Sequence, residues 1–442
     1  MAGITSGVVL LLLAISGFFL NHDNWKFIYT TTVSNHYLPE ETIKLGSKLY
    51  NSYLIDTEQN NIQLLSGFRG VFRSNDSGKN YRQILDIPSY TLVDFNAVYY
   101  LATTEGMYIS KDKGLHWESF ALKGEVVTAL SVDNKGILAV VDKAELVLLQ
   151  FDGSVLDRSS VKIEKKELIH DISLGRLVRD VHYGRGLFDD GLSLLLNDFS
   201  TLWLILLAST GYVLWYLIQR IRKKKQYKKP LSFLLKIHTS SWVLVSVIPL
   251  ILLALTGILL DHSQFFGKFL HQTTVPHKVL PPIYRTLKED IWSVDLHDGV
   301  YRIGNRYGVY KSDDMKQWHL ESKGFAYKMM HDDKRVFVSG MGAANRVYSE
   351  NRWETLENTP HMFKSINGEG ESRTYFSSSS DMRLAKLKDT TLYTILLSIH
   401  DGSFFASWWV FVNDFVSVLL LILLYTGLRL WYKRIRVKFG YR

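Results

Sequence analysis

The 442-residue sequence contains no cysteine. That absence excludes disulfides, cysteine-ligated zinc, iron–sulfur clusters and the C-x-x-C-H attachment of c-type haem. An exported domain of this chain must therefore be stable on its packed core alone, which segments of roughly 150 residues can achieve. Also missing are a phosphate-binding glycine loop, an H-E-x-x-H or G-x-S-x-G motif, and any nucleophile with a plausible base beside it. The first apolar run has neither a basic n-region nor an A-x-A cleavage site, so it reads as a retained helix and not a removed signal peptide.

What is present is stated twice. Leu11–His22, LLLAISGFFLNH, returns as Ile251–His262, ILLALTGILLDH. The run from Asn197-Asp198-Phe199 through Thr210-Gly211 to Leu214-Trp215-Tyr216 returns from Asn413-Asp414-Phe415 through Thr426-Gly427 to Leu430-Trp431-Tyr432. Two matches in the same order imply a tandem duplication of a unit built as membrane helix, exported segment, membrane helix. The segments near 4–21, 199–219, 242–261 and 412–432 are each long and apolar enough for a hydrocarbon core of about 30 Å. The expected fold is a four-helix transmembrane bundle carrying an all-β, propeller-like domain formed by two insertions. The expected divisions are helix 1–22, β segment 23–197, helix 198–219, basic loop 220–240, helix 241–262, β segment 263–411, helix 412–432 and tail 433–442.

The whole chain carries +9, but the bases are concentrated. Arg220, Arg222, Lys223, Lys224, Lys225, Lys228, Lys229 and Lys236 follow the second span without an acid among them, and Arg429, Lys433, Arg434, Arg436, Lys438 and Arg442 close the chain. By the positive-inside rule both clusters and both termini are cytoplasmic, and the large insertions lie outside. Without those bases the chain is net acidic, so the charge marks topology and a contact for anionic lipid, and gives no indication of nucleic-acid binding.

The exported segments read as short strands separated by Gly, Asp and Asn. Gly70–Gly78, GVFRSNDSG, is echoed by Gly106–Gly114, GMYISKDKG, with Trp117 following, and by Gly308-Val309-Tyr310-Lys311-Ser312-Asp313-Asp314 with Trp318, where the glycine is lost. This S-x-D-x-G-x-x-aromatic pattern resembles the Asp-box hairpin of sialidase-like β-propellers. There the Asp bonds the turn backbone, the Gly takes positive φ and the aromatic packs beneath. The box is structural, and no catalytic constellation accompanies it.

The remaining candidates for chemistry are histidines. His22 and His262 end the first helix of each half, and His182 and His400 precede the second. Neutral imidazoles on facing helices hold b-type haem without cysteine, whereas a lone membrane-edge histidine is ordinarily an interfacial polar residue. His238 is a further iron-ligand candidate nearer the cytoplasm. Its counterpart would fall before Met1, so either that site is single or the chain starts further upstream. His271 and His277 read as structural or substrate-facing. Asn197-Asp198 and Asn413-Asp414 are expected to cap their helices, with proton handling beside a quinol as the rival role. Ser16-Gly17, Thr210-Gly211, Thr256-Gly257 and Thr426-Gly427 permit close helix packing or room for a flat macrocycle.

The order T/S-G-x-x-L-N/D-H, then H-x-G (His182-Tyr183-Gly184, His400-Asp401-Gly402), then T-G-x-x-L-W-Y and a K/R-rich stretch resembles the PepSY-associated transmembrane proteins, a group that includes bacterial inner-membrane reductases of ferric siderophores. The resemblance implies a haem-dependent oxidoreductase of the inner membrane, holding two haems b on His22, His182, His262 and His400. It would pass single electrons to a periplasmic Fe(III) chelate and release Fe(II). With no flavin or nicotinamide fold, the electrons would come from membrane quinol or a separate donor. Two readings stand beside it: a non-redox sensor or assembly module anchored by the helices, and, last, a transporter, for which broken helices and mid-membrane charges are missing.

Overall fold

The computed structural model describes residues 2–438 except 57, 189–190, 222–227, 239, 289, 333, 369 and 379–383. Arg222 to Lys225 and Arg442, part of the basic clusters, lie outside the described residues. The chain forms two compact units: Met1–Leu45, Leu177–Thr273 and Asp389–Arg442 make one, and Gly46–Arg176 with Thr274–Lys388 makes the other. Each unit is thus assembled from both halves of the duplication.

The first unit is helical. Its long helices are α1 (Ala2–Asn21), α3 (Leu192–Ile221), α5 (Val243–Asp261) and α8 (Val410–Lys438). Between them run α2 (Leu174–His182), α4 (Lys228–His238), α6 (Ser263–Gln272) and α7 (Leu392–Asp401). Three segments, Leu192–Arg220, Val243–Asp261 and Ser407–Lys433, are long and apolar enough to cross a membrane, while the described apolar part of α1, Ser6–Asn21, is shorter. α1 packs on α3, α3 on α5, and α5 on α8. Val9, Leu10, Val247, Leu250, Ala254, Val416, Leu420 and Leu424 form a shared core. Leu202, Ile248, Phe415 and Leu423 face outward and are more than half exposed, the pattern expected of helices whose outer face meets lipid.

One expectation fails here. Asn197 and Asn413 do not cap their helices, because α3 begins at Leu192 and α8 at Val410. The apolar residues ahead of each Asn-Asp pair continue the helix, so both pairs sit on its inner face, with Asn197 and Asn413 each 3% exposed. They carry polar groups into the packing between helices.

Among the described residues the second unit contains five four-stranded sheets, each ordered as its strands occur in the chain, with the first strands at Tyr50–Ile55, Ser89–Phe95, Val127–Asp133, Ser293–His297 and Ala326–His331. All pairings are antiparallel. First strands of successive sheets pack side by side, and the short pair Ser365–Asn367 and Thr374–Phe376 returns the chain to the first sheet. There the Ser365 hydroxyl accepts from the Tyr53 amide at 2.9 Å and Asn367 Oδ1 accepts from the Ile55 amide at 2.9 Å. On the other side Arg373 pairs with Asp332 at 2.6 Å and lies over the Phe337 ring, both belonging to the fifth sheet.

The three Asp boxes join the third and fourth strands of their sheets and share one bonding scheme. Ser74, Ser110 and Ser312 donate to Asp76, Asp112 and Asp314 at 2.7, 2.8 and 2.9 Å. Each carboxylate then accepts backbone amides two to four residues on, from Asn80, His116 and Gln317 among others. The turn persists in the third box without glycine because its left-handed residue, Met315 (φ +57), is the one before the lost position. Trp318 beneath it is 1% exposed.

Candidate functional site

The H-x-G element ends a helix so that its histidine occupies the last turn. Gly402 adopts φ +85 as the left-handed cap of α7, and Gly184 adopts φ +66 just past α2. A side chain would be strained at either position. The chain turns away at once, and each imidazole is left aimed at a neighbouring long helix.

The two imidazoles meet. The rings of His182 and His400 have centroids 6.1 Å apart and are inclined at 51°. Each is seated on the Ser/Thr-Gly pair of the opposite half. Ser16 Oγ lies 3.0 Å from His400 Nδ1, and Thr256 Oγ1 lies 3.1 Å from His182 Nδ1. A Cβ on Gly17 would stand 3.1 Å from His400 Cε1, and one on Gly257 would stand 3.3 Å from His182 Cε1. The glycines are therefore the floor on which the rings rest, and close helix packing alone does not account for them. With Nδ1 held by oxygen, the outward nitrogen is Nε2, and among the described residues no hydrogen bond engages it on either ring.

His22 and His262 form a second matched arrangement. His22 Nδ1 lies 2.9 Å from the Phe18 carbonyl, and its Nε2 is 3.3 Å from Asp198 Oδ2. His262 Nε2 is 2.6 Å from Asp414 Oδ2. In both halves the other carboxylate oxygen, Oδ1 of Asp198 and Asp414, is buried without a hydrogen-bond partner among the described residues. The Trp25 ring covers His22 at 4.2 Å between centroids. These couples lie within one half each, unlike the crossed seats of His182 and His400.

His238 takes the third Ser/Thr-Gly pair, with Thr210 Oγ1 2.8 Å from its Nε2. The fourth pair, Thr426-Gly427, meets no such ring: a Cβ on Gly427 has nothing within 4 Å. His277 is in the other unit, 3.3 Å from the Tyr307 hydroxyl. No group of three or more His, Cys, Asp or Glu with the placement of a metal site occurs among the described residues.

Sequence reasoning singled out the four histidines and the H-x-G elements, and the structure brings His182 and His400 together while placing His22 and His262 against aspartates. Sequence reasoning missed that Ser16 and Thr256 act on the histidine of the opposite half, and that the aspartates of the Asn-Asp pairs face His22 and His262. The recurrence of all these residues in both halves was the available signal.

Comparison with solved structures returns distant likenesses. One is PorZ, a surface component of the type-IX secretion system of Porphyromonas gingivalis, at 10% identity and TM-score 0.36, covering 74% of this chain and 29% of that one. Another is an ancestral GH74 enzyme, at 9% identity and TM-score 0.32, covering 70% and 31%. The chain thus spans under a third of either protein, and neither likeness bears on its activity. Comparison with curated proteins returned no match. The description of the PepSY-associated TM region matches residues 132–434. This match covers more than half the chain and takes in His182, His238, His262 and His400 with three of the four long helices, so the chain is a membrane protein of the PepSY-associated transmembrane family.

Proposed function

We propose that this protein is a b-type haem reductase of the bacterial inner membrane that reduces a periplasmic Fe(III) chelate such as a ferric siderophore. The observation that carries the reading is the His182–His400 pair, two imidazoles from opposite halves held at Nδ1 with Nε2 left available. An Nδ1 hydrogen bond to an oxygen fixes the tautomer that presents a lone pair at Nε2, the arrangement in which histidine serves as an iron ligand. Small residues lie against both rings, and the absence of cysteine excludes a covalently attached c-type haem. The residues present therefore fit the group. His182 and His400 are the ligands best placed to hold it. His22 and His262 complete the set of four only if their Nε2 atoms leave Asp198 and Asp414, and His238 is a weaker candidate for the same reason.

Bound haem would supply one-electron Fe(III)/Fe(II) exchange, and reduction of a chelated hard Fe(III) to the softer Fe(II) weakens oxygen-ligand complexes enough for release. In this protein Ser16 and Thr256 orient the imidazoles. His22 Nε2 and Asp198 Oδ2, and likewise His262 and Asp414, can share a proton at the edge of the helices, where oxidation of a membrane quinol would deliver one. The reading includes four membrane-spanning helices with both termini cytoplasmic. The sheets of the second unit would form a periplasmic propeller, which is supported by their serial order and by the return of the Ser365–Phe376 pair to the first sheet.

The test is the visible spectrum of the full-length protein purified in detergent from haem-replete cells, oxidised and dithionite-reduced, with pyridine haemochrome quantitation. A low-spin b-type spectrum, lost in His182→Ala and His400→Ala variants that still fold, is the expected result, followed by reduction of a ferric chelate. A colourless protein ends the reductase reading and leaves the sheet unit as a membrane-anchored binding module.

A further inference from the structure

The second unit buries several cations, and three of them are paired with carboxylates. Arg302 has Asp295 and Glu321, Arg306 has Asp290, and Arg373 has Asp332. Two lysines depart from this rule together. Lys328, on the first strand of the fifth sheet, is 8% exposed, and Lys364, entering the short strand pair, is 6% exposed. Lys328 Nζ donates to the Tyr90 carbonyl at 2.7 Å and to Thr91 Oγ1 at 3.2 Å, both at the start of the second sheet. Lys364 Nζ donates to the Lys48 carbonyl at 3.0 Å and to the Tyr50 carbonyl, at the start of the first sheet. Neither has a carboxylate partner among the described residues.

An ammonium removed from water without a counter-charge is strongly unfavourable, and carbonyl dipoles compensate it only in part. The charges of Lys328 and Lys48 both disfavour a proton on Lys364. Two buried ammonium groups thus lie where the first two sheets begin, held by the carbonyls of Tyr50 and Tyr90, and the exposed Lys48 adds a third positive charge. Each buried Nζ has three N–H groups and uses two on the protein, leaving one available. Arg346 is also buried between carbonyls, of Lys323 and Gly324, but no second cation joins it there. Tyr90 and Thr91, which hold Lys328, are themselves only half-buried.

We infer that Lys328, Lys364 and Lys48 form a binding site for a multiply charged carboxylate, whose oxygens would accept the remaining N–H groups and supply the missing negative charge. Burial lowers the Lys364 amine to about 7 and the Lys328 amine to about 8, and a bound anion would raise both. The inference does not depend on haem, and it assigns the second unit a ligand whichever reading of the helices holds.

The test is thermal unfolding of the full-length, detergent-purified protein at pH 6.5 with citrate as the probe, repeated with inorganic phosphate. Citrate is expected to raise the unfolding temperature saturably, as a ligand of the folded state does. Lys328→Met and Lys364→Met are each expected to weaken that effect at least 10-fold. Because each substitution removes an uncompensated buried charge, both variants are expected to fold at least as stably as the parent without citrate, and Lys48→Met gives a second, surface variant free of any packing change. Phosphate acting as strongly as citrate would replace the carboxylate class with oxyanions in general and overturn the stated specificity. No effect of either anion, or an effect equal in all three variants, would overturn the site.

Discussion

Replacing Gly17 by alanine places a methyl group 3.1 Å from His400 Cε1. Ordinary carbon–carbon contact is roughly 3.5–4.0 Å, so the imidazole must retreat by about 0.4 Å. A displacement of that size would stretch the 3.0 Å approach of Ser16 Oγ to Nδ1 to about 3.4 Å, beyond the normal N–H···O range. Overpacking costs about 1–3 kcal/mol and the weakened hydrogen bond up to about 1 kcal/mol, against a gain of about 1 kcal/mol for removing a glycine from a helix interior. The four equivalent substitutions then form a graded series. A Cβ stands 3.1 Å from a histidine at Gly17, 3.3 Å at Gly257 and 3.9 Å at Gly211, with nothing within 4 Å at Gly427. On the proposed haem-binding reading, haem content and reduced-band intensity, normalised to purified protein, are lowest for Gly17→Ala and rise through that series. Thermal stability should separate Gly17→Ala from Gly427→Ala by about 1–3 kcal/mol, with Gly427→Ala the more stable. Indistinguishable spectra and melting for those two variants would refute the idea that Gly17 supports the His400 ring.

Gly67→Ala would place Cβ 2.1 Å from the Leu49 carbonyl oxygen and 2.7 Å from Tyr50 Cα; neither backbone atom can yield, so a loss of at least about 3 kcal/mol should appear in denaturant midpoints. Asp290→Ala strands the buried Arg306 guanidinium, whose Nη2 lies 2.9 Å from that carboxylate, and should cost about 3–5 kcal/mol by the same assay. Lys364 and Lys328 have folded pKa values of about 7 and about 8, below the unfolded value near 10.4, so the unfolded chain binds more protons and stability rises with pH in between. Between pH 7 and 9 each should contribute up to about 1.4 kcal/mol per pH unit, and Lys364→Met should reduce the measured slope. Asp76 is held to about 2, foremost by the Asn80 backbone amide, so its stabilising effect is present above pH 4 and lost as pH falls toward 2; Asp76→Asn should raise the pH at which acid unfolding begins, monitored by circular dichroism.

Much of the site was legible because the duplication wrote it twice. The repeated histidines at 22 and 262 predicted equivalent environments, and the structure gives them equivalent aspartates, 198 and 414. The glycines after His182 and His400 carry a local conformational requirement that a sequence displays directly. The partnership of Ser16 with His400 was not legible, since 384 residues separate them and only helix packing brings them together. The capping expectation for Asn197 and Asn413 failed for a local reason: an unbroken apolar run, Leu194 to Leu196 and Val410 to Val412, leads into each pair, and packing against neighbouring helices carries the helix through the Asn. Lys328 and Lys364 gave no signal either, because a lysine on a strand is ordinarily solvated.

The crossed seating of His182 and His400 has a consequence for how the chain arose and can change. A hydroxyl of one half holding the histidine of the other, reciprocally, is the contact that two identical half-length subunits would make across a two-fold axis. Neither repeat could complete its own seat, so the ancestor of this chain would have worked as a homodimer, and fusion would have turned its symmetric interface into an intramolecular one. Once fused, the two seats were free to diverge. Ser16 and Thr256 already differ by a methyl group, which gives the two imidazoles unequal surroundings that no symmetric dimer could have.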